Sequence, residues 1–142
     1  MGTDYSLNKE LEFLEKRFKA KFDRDFKKVY HVSAFDNPSM PVITNEEPHK
    51  FSFLNWGLVP FWIKDEEQAK DIRMKTVNAR SDTIFEKPSY SIPIRKRRCL
   101  LIIDGYFERR EVNGRTYPYY IRMKDNDAFA LAGVWDEWSN RR

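Results

Sequence analysis

Three short clusters carry the side chains able to do chemistry. Asp104-Gly105-Tyr106-Phe107-Glu108 sets a carboxylate among aromatics. On a strand, Tyr106 and Glu108 share one face and Phe107 takes the other, and a carboxylate so flanked is a candidate general acid or base. The plainer alternative is a surface glutamate paired with Arg109 or Arg110. In Thr76-Val77-Asn78-Ala79-Arg80-Ser81-Asp82, the Asn78 amide offers both donor and acceptor to a substrate, and Arg80 is suited to grip a phosphate. Asn78 is equally suited to cap a following helix. Trp56-Gly57-Leu58-Val59-Pro60-Phe61-Trp62 gathers three aromatics around a glycine and a proline. It is either a corner of the core or a platform for unstacked bases, which aromatic faces hold at roughly 1–3 kcal/mol each.

Other chemistries are poorly supplied. The sequence has 1 Cys and 2 His, so a zinc site built mainly from Cys and His is excluded and a His-based relay nearly so. No metal or cofactor is expected. Cys99 lies beside Leu100, Leu101 and Ile102, where burial raises a thiol pKa and blocks access. His31 reads as a partly buried, hydrogen-bonded strand residue and His49 as a turn residue. The 5 Gly are scattered, so there is no glycine-rich phosphate loop.

The elements that must position these clusters fit one domain. The chain has 142 residues, 41% of them hydrophobic and 15% aromatic, enough for a core of its own. Its longest apolar run, Cys99–Ile103, is far short of the roughly 20 residues of a membrane-spanning helix. No leader pattern opens the chain, and a single cysteine fits a reducing, cytoplasmic setting. The formal charge of +4 and a pI near 9.1 lean toward an anionic partner. Arg95, Lys96, Arg97 and Arg98 form a basic block, followed by Arg109, Arg110, Arg115 and Arg122; these serve an anionic partner or simply a solvated face.

Apolar Leu7, Leu11, Leu14, Phe18 and Phe22 recur every three or four positions, predicting an amphipathic helix over 7–22 capped by Ser6 or Asn8. Strands are predicted at Val29–Phe35, Val42–Thr44 and Phe51–Asn55, and a short helix at Asp65–Lys75. Cys99–Ile103 reads as a fully buried strand. Tyr106–Val112 and Thr116–Met123 flank Asn113-Gly114, a strong hairpin signal, and Phe129–Trp135 is a last apolar strand. That strand needs cover from an earlier one closing a barrel or from chain beyond this sequence. The fold class is α+β: a mostly antiparallel, curled sheet or partial β-barrel, with an N-terminal amphipathic helix and short peripheral helices.

Taken in order, WGLVPFW (Trp56–Trp62), VNAR (Val77–Arg80), RCLLIIDGYFE (Arg98–Glu108), PYYI (Pro118–Ile121) and FALAGVW (Phe129–Trp135) resemble the SRAP family, the SOS-response-associated peptidase domain. The opening Tyr5-Ser6-Leu7 also fits, so the resemblance spans nearly the whole chain, which is taken as a single domain over 1–142. It implies a DNA-damage-response protein that binds single-stranded DNA and crosslinks covalently to abasic sites, with peptidase-like processing of its own N-terminus. The family's nucleophile is a Cys directly after Met1. Its amine condenses with the ring-opened sugar aldehyde and its thiol closes a thiazolidine. By the same resemblance Glu108 shuttles protons, Asn78 orients the N-terminus, Arg80 contacts phosphate and Trp62 stacks near the lesion. Arg98, at the head of its stretch, is a further nucleic-acid-binding candidate. This chain carries Gly2 in place of that Cys and Asp4 in place of an Arg. Relative to the family, which goes on to a His-containing segment, the domain is expected to be C-terminally incomplete. Gly2 still offers an α-amine with a pKa near 8, sufficient for a reversible Schiff base. Two other functions stay open: a non-catalytic single-stranded nucleic-acid-binding module, and a folding or assembly unit with an open sheet edge.

Overall fold

The computed structural model describes residues 2–140; Met1, Arg141 and Arg142 lie outside them. Its elements run β1 (Asp4–Leu7), α1 (Leu11–Phe18), β2 (Val29–Ser33), a 3-10 turn (Ala34–Asp36), β3 (Ser39–Thr44), β4 (Ser52–Asn55), α2 (Glu66–Arg73), α3 (Pro93–Lys96), β5 (Arg98–Ile103), β6 (Gly105–Val112), β7 (Arg115–Ile121) and β8 (Phe129–Val134). The strands form two antiparallel sheets, ordered β2-β1-β6-β7 and β4-β3-β5-β8. Because β5 leads through Asp104 directly into β6, the chain turns from one sheet to the other at that residue. The result is the expected α+β fold with a curled sheet. Among the described residues no strand closes it into a barrel, and β8 pairs with β5 alone. The core between the sheets and α1 includes Leu7, Leu14, Met40, Phe51 and Ile102, with a second cluster around Tyr5, Ala34 and Ile103. Among the described residues no helix is long and apolar enough to cross a membrane.

The predicted helix over 7–22 is shortened at both ends. Leu7 belongs to β1, opposite Val29, and is fully buried there. The helix starts after Glu10, whose side chain makes no cap bond. Ser6, an expected cap, donates instead to Asp104 at 2.6 Å. At the far end Lys19 adopts a left-handed conformation, φ 53°, which stops the helix. Phe22 then stacks on Phe51 at 4.0 Å. Tertiary burial of two apolar residues thus outweighs helical periodicity. The strand predicted at Val29–Phe35 ends at Ser33, whose hydroxyl accepts from the Phe35 N–H and starts the 3-10 turn. In α2, Asp65 caps by accepting from the Gln68 N–H at 2.9 Å. The strand expected to be wholly buried is so only at Ile102 and Ile103; Leu100 is 44% exposed. Asn113 and Gly114, at φ 50° and 76°, make the primed hairpin turn joining β6 to β7.

The corner residue is a buried, multiply bonded carboxylate. Asp104 is 2% exposed. One carboxylate oxygen accepts from the Asn8 N–H and the Lys9 ammonium, both at 2.9 Å. The other accepts from Ser6 Oγ at 2.6 Å. That bond uses the only Ser6 hydroxyl proton, so Tyr120 donates to Ser6 Oγ across the 2.7 Å that separates them. Gly105 makes room for the arrangement, since a Cβ there would sit 2.2 Å from the Tyr120 hydroxyl. Burial alone would push the Asp104 carboxyl up; the bonds from Lys9, Ser6 and Asn8 overcome it and hold the carboxyl below its ordinary value.

Removing the carboxylate strands a largely buried ammonium. Asp104→Ala is expected to cost about 3–5 kcal/mol, the scale for breaking a buried pair, read as a lower urea midpoint. The pH dependence follows from the depressed carboxyl. Its stabilisation is complete above the unfolded value of about 4 and is lost as pH falls through the lower folded value. Wild type should therefore lose stability on acidification below about pH 4 more steeply than Asp104→Asn.

Candidate functional site

The register of two strands builds the site. β1 lies beside β6 with Asp4 opposite Phe107 and Tyr5 opposite Tyr106. Gly2 and Thr3, just before Asp4, therefore run alongside Phe107 and Glu108. Gly2 approaches so closely that a Cβ on it would lie 2.5 Å from the Phe107 carbonyl oxygen and 3.6 Å from Glu108 Oε1. Its carbonyl accepts from the Tyr5 hydroxyl at 2.6 Å and from Asn78 Nδ2 at 3.5 Å. Gly2, Asn78 and Glu108, far apart in sequence, thus meet at one place, with Tyr5 as a fourth member.

Asn78 is delivered by a loop tied down from several sides. Tyr5 stacks on Trp56, ring centroids 4.4 Å apart. The Trp56 indole N–H in turn donates to the Val77 carbonyl at 2.6 Å. The Thr76 hydroxyl donates to the Leu58 carbonyl at 2.7 Å, and the Tyr90 hydroxyl to the Asn78 carbonyl at 3.3 Å. No helix begins at Asn78, so capping does not explain it; turns follow as far as α3. Behind the loop lies a cavity of about 930 Å³, lined by Trp56, Val77, Asn78, Tyr90, Leu101 and Trp135 among others.

The remaining candidates stand apart from this cluster. The Arg80 side chain is 80% exposed and turns back on Asp82, donating through Nε at 3.2 Å and Nη2 at 3.0 Å. Trp62 is 47% exposed and makes no described contact with Gly2, Asn78 or Glu108. Arg98 heads β5, opposite Val134, and donates to the Ile94 carbonyl at 2.6 Å. The WGLVPFW cluster is therefore divided: Trp56 is core, Trp62 surface. The alternative pairing of Glu108 with Arg109 or Arg110 is not observed, as neither arginine makes an ion pair among the described residues. His31 is not partly buried but 62% exposed at its side chain, 3.0 Å from Asp4. Cys99 is partly buried, which pushes its thiol up to about 11. Among the described residues no three His, Cys, Asp or Glu gather as a metal-ligand set.

Tyr5 was not among the sequence candidates. The signal for it was strand alternation, which puts Tyr5 on the same sheet face as Tyr106 and Glu108, but the predicted helix over 7–22 hid β1. Burial first, then the negative charges of Glu108 and Asp4, push its phenol up to about 12, with the Asn78 bond acting in the opposite sense. At neutral pH it is a fixed donor to the Gly2 carbonyl.

The profile of the family described as SOS response associated peptidase (SRAP) matches residues 1–142. The abasic site processing protein YoaM of Bacillus subtilis is 32% identical over 119 residues, covering 83% of this chain and 50% of that protein. YoqW of Bacillus subtilis, of the same description, is 34% identical over 114 residues, covering 78% of this chain and 49% of its own length. The chain thus spans about half the length of these curated relatives. A crystal structure of a protein from Bacteroides thetaiotaomicron superposes with a TM-score of 0.90 at 39% identity, covering 98% of this chain and 62% of that one.

The Tyr5 hydroxyl gives a spectroscopic handle. A group whose folded pKa is raised contributes stability that is present below the unfolded value, about 10, and lost as pH rises through about 12. The tyrosinate absorbance difference between wild type and Tyr5→Phe should titrate near 12. A difference that titrates near 10 would mean that the hydroxyl is solvated and does not hold Gly2.

Proposed function

Because the chain belongs to the SRAP family, we propose that it acts on damaged DNA, capturing abasic sites in single-stranded DNA at its own N-terminal amine. The observation that carries this is the meeting of Gly2, Asn78 and Glu108 at the start of β1. Once Met1 is removed, the Gly2 nitrogen is a primary amine beside a carboxylate, with its carbonyl anchored by Tyr5 and Asn78. The names of the curated relatives, abasic site processing proteins, point to the same substrate.

The chemistry follows from these groups. The amine lone pair attacks the aldehyde carbon of the ring-opened sugar, giving a carbinolamine. Glu108 in its acid form protonates the departing hydroxyl, one water leaves, and an imine joins Gly2 to the strand. The carboxylate then recovers a proton from the nitrogen or from solvent. Gly2 supplies no thiol, so the adduct stops at the imine and remains open to hydrolysis. Asn78 and Tyr5 act by positioning, since holding the carbonyl of Gly2 limits where its nitrogen can go. A specific observation, Gly2 itself, favours a second reading in which the domain binds the strand and does no chemistry.

The two separate on a denaturing gel. Abasic single-stranded DNA should yield an adduct with wild type only when borohydride is present to reduce the imine. Glu108→Gln should slow its formation about a hundredfold, the lower end of the range for acid–base catalysis. Affinity for an intact strand, measured alongside, distinguishes lost chemistry from lost binding. Gly2→Cys, which requires the N-terminal segment to move off the Phe107 carbonyl, should make the adduct independent of borohydride. Binding without an adduct under either condition selects the second reading.

A further inference from the structure

We infer that one face of the β6–β7 hairpin, carrying Arg110, Tyr117 and Tyr119, is the track along which the DNA strand flanking the lesion lies. The inference rests on the assignment of Glu108 above and adds residues that the family resemblance did not indicate.

The face follows from register. Tyr106 is opposite Ile121, Glu108 opposite Tyr119, and Arg110 opposite Tyr117. Directly opposed residues share a face with side chains about 5 Å apart, and alternation puts Glu108 and Arg110 on the face of Tyr106. That is also the face of Tyr5, so the track starts at the Gly2–Asn78–Glu108 cluster and runs outward along the hairpin. Tyr117 and Tyr119 are 43% and 47% exposed. They are unstacked among the described residues, whereas the opposite face has its aromatics engaged. There Phe107 packs on His31 and on Tyr120, each at 4.9 Å, and Tyr120 is bound to Ser6.

Charge identifies the occupant. Arg109, Arg110 and Arg115 make no ion pair among the described residues. Arg80 is neutralised by Asp82 and Arg97 by Asp136. Arg24, Arg95, Arg98 and Arg122 also make no ion pair among the described residues, so what marks the hairpin is that Arg110 and Arg115 share one face with two exposed tyrosines. Exposed tyrosine faces interleaved with uncompensated arginines are what a single strand requires: stacking for bases and cations for phosphates. A second protein strand is a poorer occupant. β7 carries Pro118, which lacks an N–H, and proline is a feature of strand edges that resist pairing.

Adjacent arginines on opposite faces provide the control. Binding of a labelled, undamaged oligothymidine is followed by fluorescence anisotropy across a salt series. Arg110→Ala and Tyr119→Ala should each weaken the Kd about tenfold. Arg110→Ala should also reduce the slope of log K against log salt by about 0.7, one phosphate contact. Arg109→Ala removes the same charge from the opposite face and should change Kd less than about twofold. Equal losses for Arg109→Ala and Arg110→Ala would reduce the effect to diffuse charge and overturn the track. So would no loss in either, or a change of oligomeric state in Tyr119→Ala at unchanged affinity. Undamaged DNA involves no adduct, so failure here leaves the imine proposal standing, and absence of a borohydride-trapped adduct leaves the track standing.

Discussion

The carboxylate at the corner between the two sheets is the constraint on which the remaining geometry depends. Asp104 is buried where β5 ends and β6 begins, and it accepts from Ser6, Asn8 and Lys9. All three donors lie in or just after β1, so one side chain fixes the N-terminal segment against β6. The Asp104 N–H adds a bond to the Ser6 carbonyl at 3.0 Å. A chain end is ordinarily the first part of a domain to fray. Here residues six, eight and nine are fastened at a buried ionic centre, and the second is carried along to a defined place on β6.

From there a sequence of contacts leads to the loop that supplies Asn78. Tyr5 is held by β1, Trp56 by Tyr5, Val77 by the Trp56 indole, and Asn78 by its chain neighbour and by Tyr90. Of the groups in between, Tyr5 bonds to Gly2, and it does so at the carbonyl. Their work is to fix the rotamer and height of an amide that reaches back to Gly2. Preorganisation of this kind is worth more on strands than on free loops. Asn78 does sit on a loop, which explains why so many hydrogen bonds are spent on it.

Much of the framework was legible in the sequence, and the exceptions have physical causes. The Asn113-Gly114 hairpin, a short helix at α2 and the late apolar strands followed from local chemistry, because turn residues and local side-chain patterns act within a few positions. Asn78 and Glu108 stood out in their local clusters, with plainer alternatives open, and Gly2 only through family resemblance; their meeting depends on strand register, which no local pattern encodes. The N-terminal helix was overextended because Leu7 and Phe22 match a helical stripe, although each has a better partner elsewhere, in β1 and on Phe51. Arg80, read as a phosphate ligand, is paired with Asp82 two residues away in an exposed contact. Tyr5 was missed because its place depends on which side of a sheet it points to.

The tip of the β6–β7 hairpin is open: nothing lies within 4 Å of a Cβ placed on Gly114. Growth or trimming of the arm there is therefore sterically free, but it is subject to parity. Side chains alternate with a period of two, so adding one cross-strand pair changes the arm's reach by about 3.4 Å and leaves the phase of every existing residue intact. A single residue inserted into one strand instead inverts the phase beyond it, exchanging the sides on which Arg109 and Arg110 project. Homologous arms of different length are then expected to differ by whole cross-strand pairs, one residue on each strand, a ruler graduated by the pleat itself.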